Sequence, residues 1–240
     1  MSLRLPLFFK LYFMKMLTVL PVLFFLFASI SCHKESKSQR GGIDVVSNVY
    51  FDASKNLNKI QTYHLSSLNY SGDSIIERVP DADVPEITSK MYFIKDSLCY
   101  SIENVNAGNV ILSDVVKKQV PVQVENKKGG TLFANEKIPN YQNRKNLSDT
   151  ILFRKKYKRF EISSPWMYTR YYIYPTDSIL PYSIYKHVAK DYRGRLERID
   201  SYNRKSDIFV TLQLIPRKDW DHEAKEIFEF NHFIQKRKNE

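Results

Sequence analysis

The sequence predicts a mainly β protein: an antiparallel sheet, arranged as a meander, a sandwich or a half barrel, with one amphipathic α-helix at the C-terminus. Three observations carry this expectation. Segments rich in Val, Ile, Tyr and Phe recur at short spacing with turn residues between them. Helical periodicity is strong in one place only, "DWDHEAKEIFEFNHFIQKRK", near the end of the chain. No helical stretch separates the strand segments of the second half, as parallel pairing would require.

Taken in order, "IDVVSNVYF" (43–51) has the β-branched and aromatic content of a strand. "SKNLNKIQTYHLSSL" (54–68) fits helix and strand equally well. "KMYFIKDSLCYSIEN" (90–104) reads as two strands about a turn at Asp96 and Ser97. "VILSDVVKKQVPVQVEN" (110–126) reads as a strand with an edge or break at Pro121, "NKKGGT" as a turn, and "NEKIPNYQNRKNLSD" (135–149) as a long loop. Five strands follow: "TILFRKKYKRFEI", "WMYTRYYIY", "YSIYKHV", "RLERIDSY" and "IFVTLQLI", separated by turn signals at Pro175, 191–194 and 203–207. In the C-terminal helix Trp220, Ala224, Ile227, Phe228 and Ile234 recur near helical spacing. Asp219 is the expected N-cap, and the basic residues 236–238 suit the negative end of the helix dipole.

The start of the chain follows other rules. Residues 17–30 form an uncharged apolar run of 14, short of the roughly 20 that a spanning helix takes. Lys15 precedes the run, and the small residues Ala28, Ser29 and Ser31 end it, the order of a secretory signal. "SISC" (Ser29, Ile30, Ser31, Cys32) resembles the lipobox of bacterial lipoproteins, with Ser where Leu is usual three positions before the cysteine and Ser rather than Gly or Ala directly before it. The resemblance covers about the first 33 residues. It implies cleavage by signal peptidase II before Cys32, a diacylglycerol on the Cys32 thiol, and a membrane held as partner through that N-terminal lipid. Met14 opens a more compact signal than Met1, and His33, where an Asp would direct retention, implies by the same resemblance the outer membrane of a Gram-negative bacterium. The expected organisation is a signal peptide over 1–31, a polar tether over 32–42 and a single β-rich domain over 43–240.

Of 240 residues, 43% are hydrophobic and 14% aromatic, which excludes collagenous and wholly disordered chains. Without Arg4, Lys10 and Lys15 of the signal, 34 basic and 26 acidic side chains remain, a net charge of +8. Such a field favours anionic lipid, acidic polysaccharide or nucleic acid, and an exported protein seldom meets the last. If Cys32 carries lipid, Cys99 reads as a small apolar residue within a strand.

"YIYPTDSILPYSIYKHVAKDYRGRLERIDSY", within 171–202, resembles the periplasmic lipoprotein-carrier-like half barrels in its order of strand, Asp, Leu-Pro, strand, Asp-x-x-Gly turn and strand. That resemblance implies an apolar concavity for an acyl chain. The residues also offer another ligand surface. Trp166, Tyr168, Arg170, Tyr172 and Tyr174 fall on one face of a strand, where an aromatic row with one cation suits the stacking of sugar rings; cross-strand packing around a paired arginine is the structural alternative. "RKKYKRF" (154–160) alternates cations on both faces, as an exposed edge strand does.

Catalytic signatures are missing: there is no Gly-x-Ser-x-Gly elbow, no phosphate loop and no dinucleotide fingerprint. Asp219, Asp221, His222, Glu223 and Glu226 lack the second histidine of a two-histidine zinc helix and read as acidic capping of the helix. Asp81, Asp83 and Glu86 lack the glycine and remaining oxygen ligands of a calcium loop. His64 and His187 read as structural, and neither metal nor cofactor is expected. The leading expectation is a non-enzymatic, lipid-anchored binding or envelope-maintenance protein for an acyl chain or a glycan. A periplasmic or surface hydrolase using paired carboxylates, or a structural partner of an outer-membrane complex, are the alternatives.

Overall fold

The computed structural model describes residues 35–102, 109–133 and 136–238. Cys32 and the expected signal peptide lie outside the described residues. Strand structure begins within the expected tether: β1 (Ser36–Lys37) is followed by β2 (Arg40–Phe51), β3 (Ile60–Ser71), β4 (Ser74–Pro80), β5 (Thr88–Lys95) and β6 (Leu98–Ile102). Helix α1 (Leu112–Lys118) leads to the short β7 (Val122–Gln123). The second half runs β8 (Lys145–Leu152), β9 (Lys155–Ser163), β10 (Met167–Tyr174), β11 (Ser178–Ile179), α2 (Lys186–Tyr192), β12 (Arg195–Asn203), β13 (Ile208–Arg217) and α3 (His222–Lys238).

Eleven strands form one antiparallel sheet in the order β7-β6-β5-β4-β3-β2-β13-β12-β10-β9-β8, while β1 pairs with β11 in parallel. The sheet is not closed into a barrel. It consists of two meanders: β2 to β7 run outward to one edge, and β8 to β13 run inward from the other. The first and last long strands therefore meet at the centre, with Ile208 opposite Phe51 and Arg217 opposite Gly42. Two hairpins close through two-residue loops whose residues all have positive φ, Asp96 (52°) with Ser97 (64°) and Phe153 (49°) with Arg154 (62°). These mirror-image turns match the twist of the flanking strands.

Alternation gives each strand an inner and an outer side. The inner face is continuous. Ile43, Leu68, Ile94 and Leu214 form one buried cluster on it, and Phe160, Tyr171, Ile173 and Leu196 form another. Between β7 and β8 the chain must pass from one edge of the sheet to the other, and the described parts of this crossover lay Val124 and Phe133 on the first cluster and Ile138 and Tyr141 on the second. Tyr182 and Val188, from the segment between β10 and β12, complete the cover. The outer face of the N-terminal meander presents Ile76, Met91, Phe93 and Tyr100 to Ala224, Ile227 and Phe228 of α3.

Several expectations need correction. Residues 112–118 are helical, not extended: Leu112 and Val115 pack on the α3 cluster, and the α1 terminus is satisfied by Asn231 of α3, whose Oδ1 accepts from Leu112 N at 2.8 Å while its Nδ2 donates to Val110 O at 2.7 Å. "YSIYKHV" ends in α2, because Tyr185, Val188 and Tyr192 recur at helical spacing against the inner cluster. The Asp-x-x-Gly read as a turn is the end of that helix: Arg193 is left-handed (φ 47°) and Gly194 N returns to Ala189 O at 3.2 Å. Part of the expected loop 135–149 is strand, since β8 begins at Lys145. β8 consequently takes the edge and "RKKYKRF" supplies the second strand. The ambiguous 54–68 segment is a turn followed by β3. The N-cap of α3 is Asp221, whose Oδ1 accepts from Ala224 N at 2.9 Å, rather than Asp219. Among the described residues no helix is long and apolar enough to cross a membrane.

Candidate functional site

The predicted aromatic face is assembled in part. Trp166 precedes β10 rather than belonging to it; it is 58% exposed, with Lys205 Nζ 4.4 Å from its ring centroid. Tyr168 lies beside Tyr202 of β12, ring centroids 5.7 Å apart. Arg170 is held by Glu161 of β9 through Nη2 (2.7 Å) and Nε (3.2 Å). Tyr172 is buried, facing Arg159 and Arg198 across the neighbouring strands, with the Tyr157 ring edge-on at 6.4 Å. Tyr174 approaches the same Tyr157 ring at 6.0 Å.

Strand register explains how this surface closes on itself. A bulge between Tyr172 and Ile173 leaves Glu197 as the extra residue of β12. Glu197, 4% exposed, accepts from Arg195 Nη2 at 2.6 Å and from the Tyr157 hydroxyl at 2.9 Å, and Arg198 Nε donates to Asp200 Oδ1 at 2.7 Å. Burial, then the hydrogen bond to Glu197, raises the Tyr157 phenol above its ordinary range; burial likewise raises Tyr172. Arg170, Arg195 and Arg198 each have a carboxylate partner, and Arg159 Nε donates instead to Ser148 O at 2.6 Å. What remains accessible for stacking is Trp166 with the half-buried Tyr168.

A second polar cluster surrounds the start of α3. Arg78 bridges Glu223 (2.9 Å) and Asp221 (3.3 Å), and Arg217 Nε stands 2.8 Å from Asp44 Oδ2 in an ion pair whose angle falls outside that of a directed hydrogen bond. Asp44, Ser67 and His64 also meet, but not as a nucleophilic relay. Ser67 Oγ donates to Asp44 Oδ1 at 2.8 Å, and one nitrogen, His64 Nε2, faces both Ser67 Oγ (3.3 Å) and Asp44 Oδ1 (3.8 Å). A relay needs the two ring nitrogens to face the two partners separately. These residues fasten the helix to the sheet. Among the described residues no three His, Cys, Asp or Glu side chains converge as a metal site would require.

The inner face holds a buried ion pair. Glu77 and Lys127 have side chains 0% and 1% exposed, with Nζ 2.9 Å from Oε2 and out of line for a directed hydrogen bond. Glu77 Oε1 accepts from Ser66 Oγ and Thr131 N, each at 2.6 Å, and Lys127 lies over the Tyr92 and Phe133 rings. Gly130 is left-handed (φ 68°), and a Cβ there would collide with Glu77 Oε1. The pair fixes the crossover on the sheet. Nearby Cys99 is a buried free thiol in β6, its pKa pushed up to about 11 by burial.

A groove that sequence reasoning missed opens on the outer face, where α3 and α1 diverge over β5 and β6. Its volume is about 650 Å³, within the usual size of small-molecule sites. Phe93, Leu98, Tyr100, Leu112, Val116 and Phe228 supply its apolar lining, and Lys95 and Lys117 its cationic rim, with His232 beside them. Asn231 sets the separation of the two helices by capping α1 while also donating to Ile227 O at 2.8 Å. The available signal was Asn231 itself, polar at a position that shares a helix face with Ile227 and Phe228.

No protein-family model matches the chain, and no curated protein matches it.

Proposed function

We propose that the protein is a lipid-anchored component of a bacterial cell envelope that binds an acyl chain without chemical turnover. The groove between α1 and α3 carries this reading, since Leu98, Leu112 and Val116 offer apolar surface beside a polar rim, above the buried Phe93 and Phe228. The resemblance of "SISC" to a lipobox supports the anchor. Full-length protein purified from membranes is expected to release about one non-covalent lipid per chain on solvent extraction, and much less from Val116→Trp, which fills the groove. Equal lipid from both forms overturns the binding site. Replacing Cys32 with Ser is expected to abolish acylation and membrane retention; unchanged retention overturns the anchor.

A glycan reading is favoured by one observation, the exposed Trp166 next to Tyr168. It predicts weaker binding of envelope polysaccharide by Trp166→Ala, and undiminished binding removes it.

A further inference from the structure

We infer that the ligand of the groove is an anion, a single long-chain fatty acid whose carboxylate is held at the rim by Lys95 and Lys117. This rests on the acyl-chain reading above and goes beyond it by assigning the head group. On the outer face of the sheet Arg78, Arg170, Arg198 and Arg217 each meet a carboxylate at 3.3 Å or less. At the groove the pattern is different: Lys95, Lys117 and His232 share the rim with a single acid, Asp96, and among the described residues neither lysine has an ion-pair partner. Two exposed ammonium groups beside apolar surface present a site for a carboxylate attached to a chain.

Ser71 and Ser74 line the groove, Arg40 pairs with Ser71, and Gly72 N donates to Gln39 O at 2.8 Å. Cys32 precedes Gln39 by seven residues, so the proposed lipid attachment lies at most about 25 Å of extended chain from this wall. A tether of that length would keep this wall within reach of the bilayer from which a fatty acid would come.

The test uses the full-length protein in neutral-lipid nanodiscs, with radiolabelled palmitate and 1-hexadecanol as probes and empty nanodiscs as the partition control. Palmitate is expected to bind about tenfold more tightly than the alcohol, one charge-assisted contact's worth, and Lys95→Gln with Lys117→Gln is expected to bring the two affinities together. Both lysines are exposed, so the double variant should keep its urea midpoint. Equal binding of palmitate and hexadecanol by the native protein, both lost in Val116→Trp, overturns the anionic head group and leaves the acyl-chain reading standing. Binding of neither probe above the partition control, with the protein folded, overturns both. A preference for palmitate that survives in the double variant overturns the assignment to Lys95 and Lys117.

Discussion

The outer face of the N-terminal meander carries Ile76, Met91, Phe93 and Tyr100 beneath two helices, whereas the same face of the C-terminal meander carries Tyr157, Tyr172, Arg170 and Arg198 among carboxylates. Both surfaces have the alternation of half-buried strands. The first needs other elements to cover it: the helices bury all four residues, and the groove where α1 and α3 part opens above them at Leu98, Leu112 and Val116. The second covers itself, because long arginine side chains fold over tyrosine rings and end on acids two residues away or on the next strand. An aromatic row with a cation is thus closed by its own side chains except at Trp166, and a plain apolar face by the helices laid over it.

The contrast breaks most sharply at ion pairs. Glu77→Ala strands the buried Lys127 ammonium beneath the crossover and is expected to cost about 3–5 kcal/mol in urea unfolding. Glu161→Ala, on the partly exposed Arg170 pair of the C-terminal meander, is expected to cost less than about 1 kcal/mol. Comparable losses would mean that the two meanders use charge alike.

Within the aromatic row, Tyr172→Ala is expected to lose about 3 kcal/mol, as truncation of a buried ring does. Trp166→Ala should change stability by under about 0.5 kcal/mol, since that ring is exposed. If Trp166 proved the costlier of the two, the packed end of the row would be at Trp166 rather than at Tyr172. Next in size, Asn231→Ala leaves Leu112 N and Val110 O without their partner and is expected to cost about 1–3 kcal/mol. Faster amide exchange confined to α1 and the facing turn of α3 would locate the effect at the groove.

The smallest expected effect is a pH dependence. Burial holds the His187 imidazole below its ordinary pKa of 6.5, against a weaker opposing pull from Asp191, with Lys137 and Arg144 reinforcing the shift. The unfolded chain therefore takes up the proton first as pH falls, so the contribution is fully present above about 6.5 and declines below it, toward the lowered folded value. Urea midpoints should fall between pH 7.5 and pH 5, and His187→Phe should reduce that fall. An unchanged pH profile in the variant would place the titrating group elsewhere.

β2, β5, β6, β10, β12 and β13 were legible because alternation is local, whereas β3 was ambiguous and "TILFRKKYKRFEI", read as one strand, turns at Phe153 and Arg154 to become the end of β8 and most of β9. Asp96 and Ser97 mark the hairpin of β5 and β6, and the burial of Phe160 and Tyr157 on opposite faces follows from a period of two. Helices α1 and α2 were not legible as helices. Their Val and Tyr content reads as strand, and what makes them helical is contact with distant partners, Asn231 for α1 and the Phe160 cluster for α2. For the same reason the aromatic row could be read while its closure could not, because the Glu197 bulge depends on the register of two strands. The groove was least visible of all, being a gap between elements rather than a property of any one.

Pairing of β2 with β13 at the middle of the sheet also bears on how the molecule is made. A chain that emerges N-terminus first can form the outward meander early, but the central ladder must wait for residues 208–217. The closure joins segments more than 150 positions apart, so the entropy of a very long loop is settled before its hydrogen bonds form, and folding should be slow. Until then one long side of β2 is an open edge able to recruit another strand.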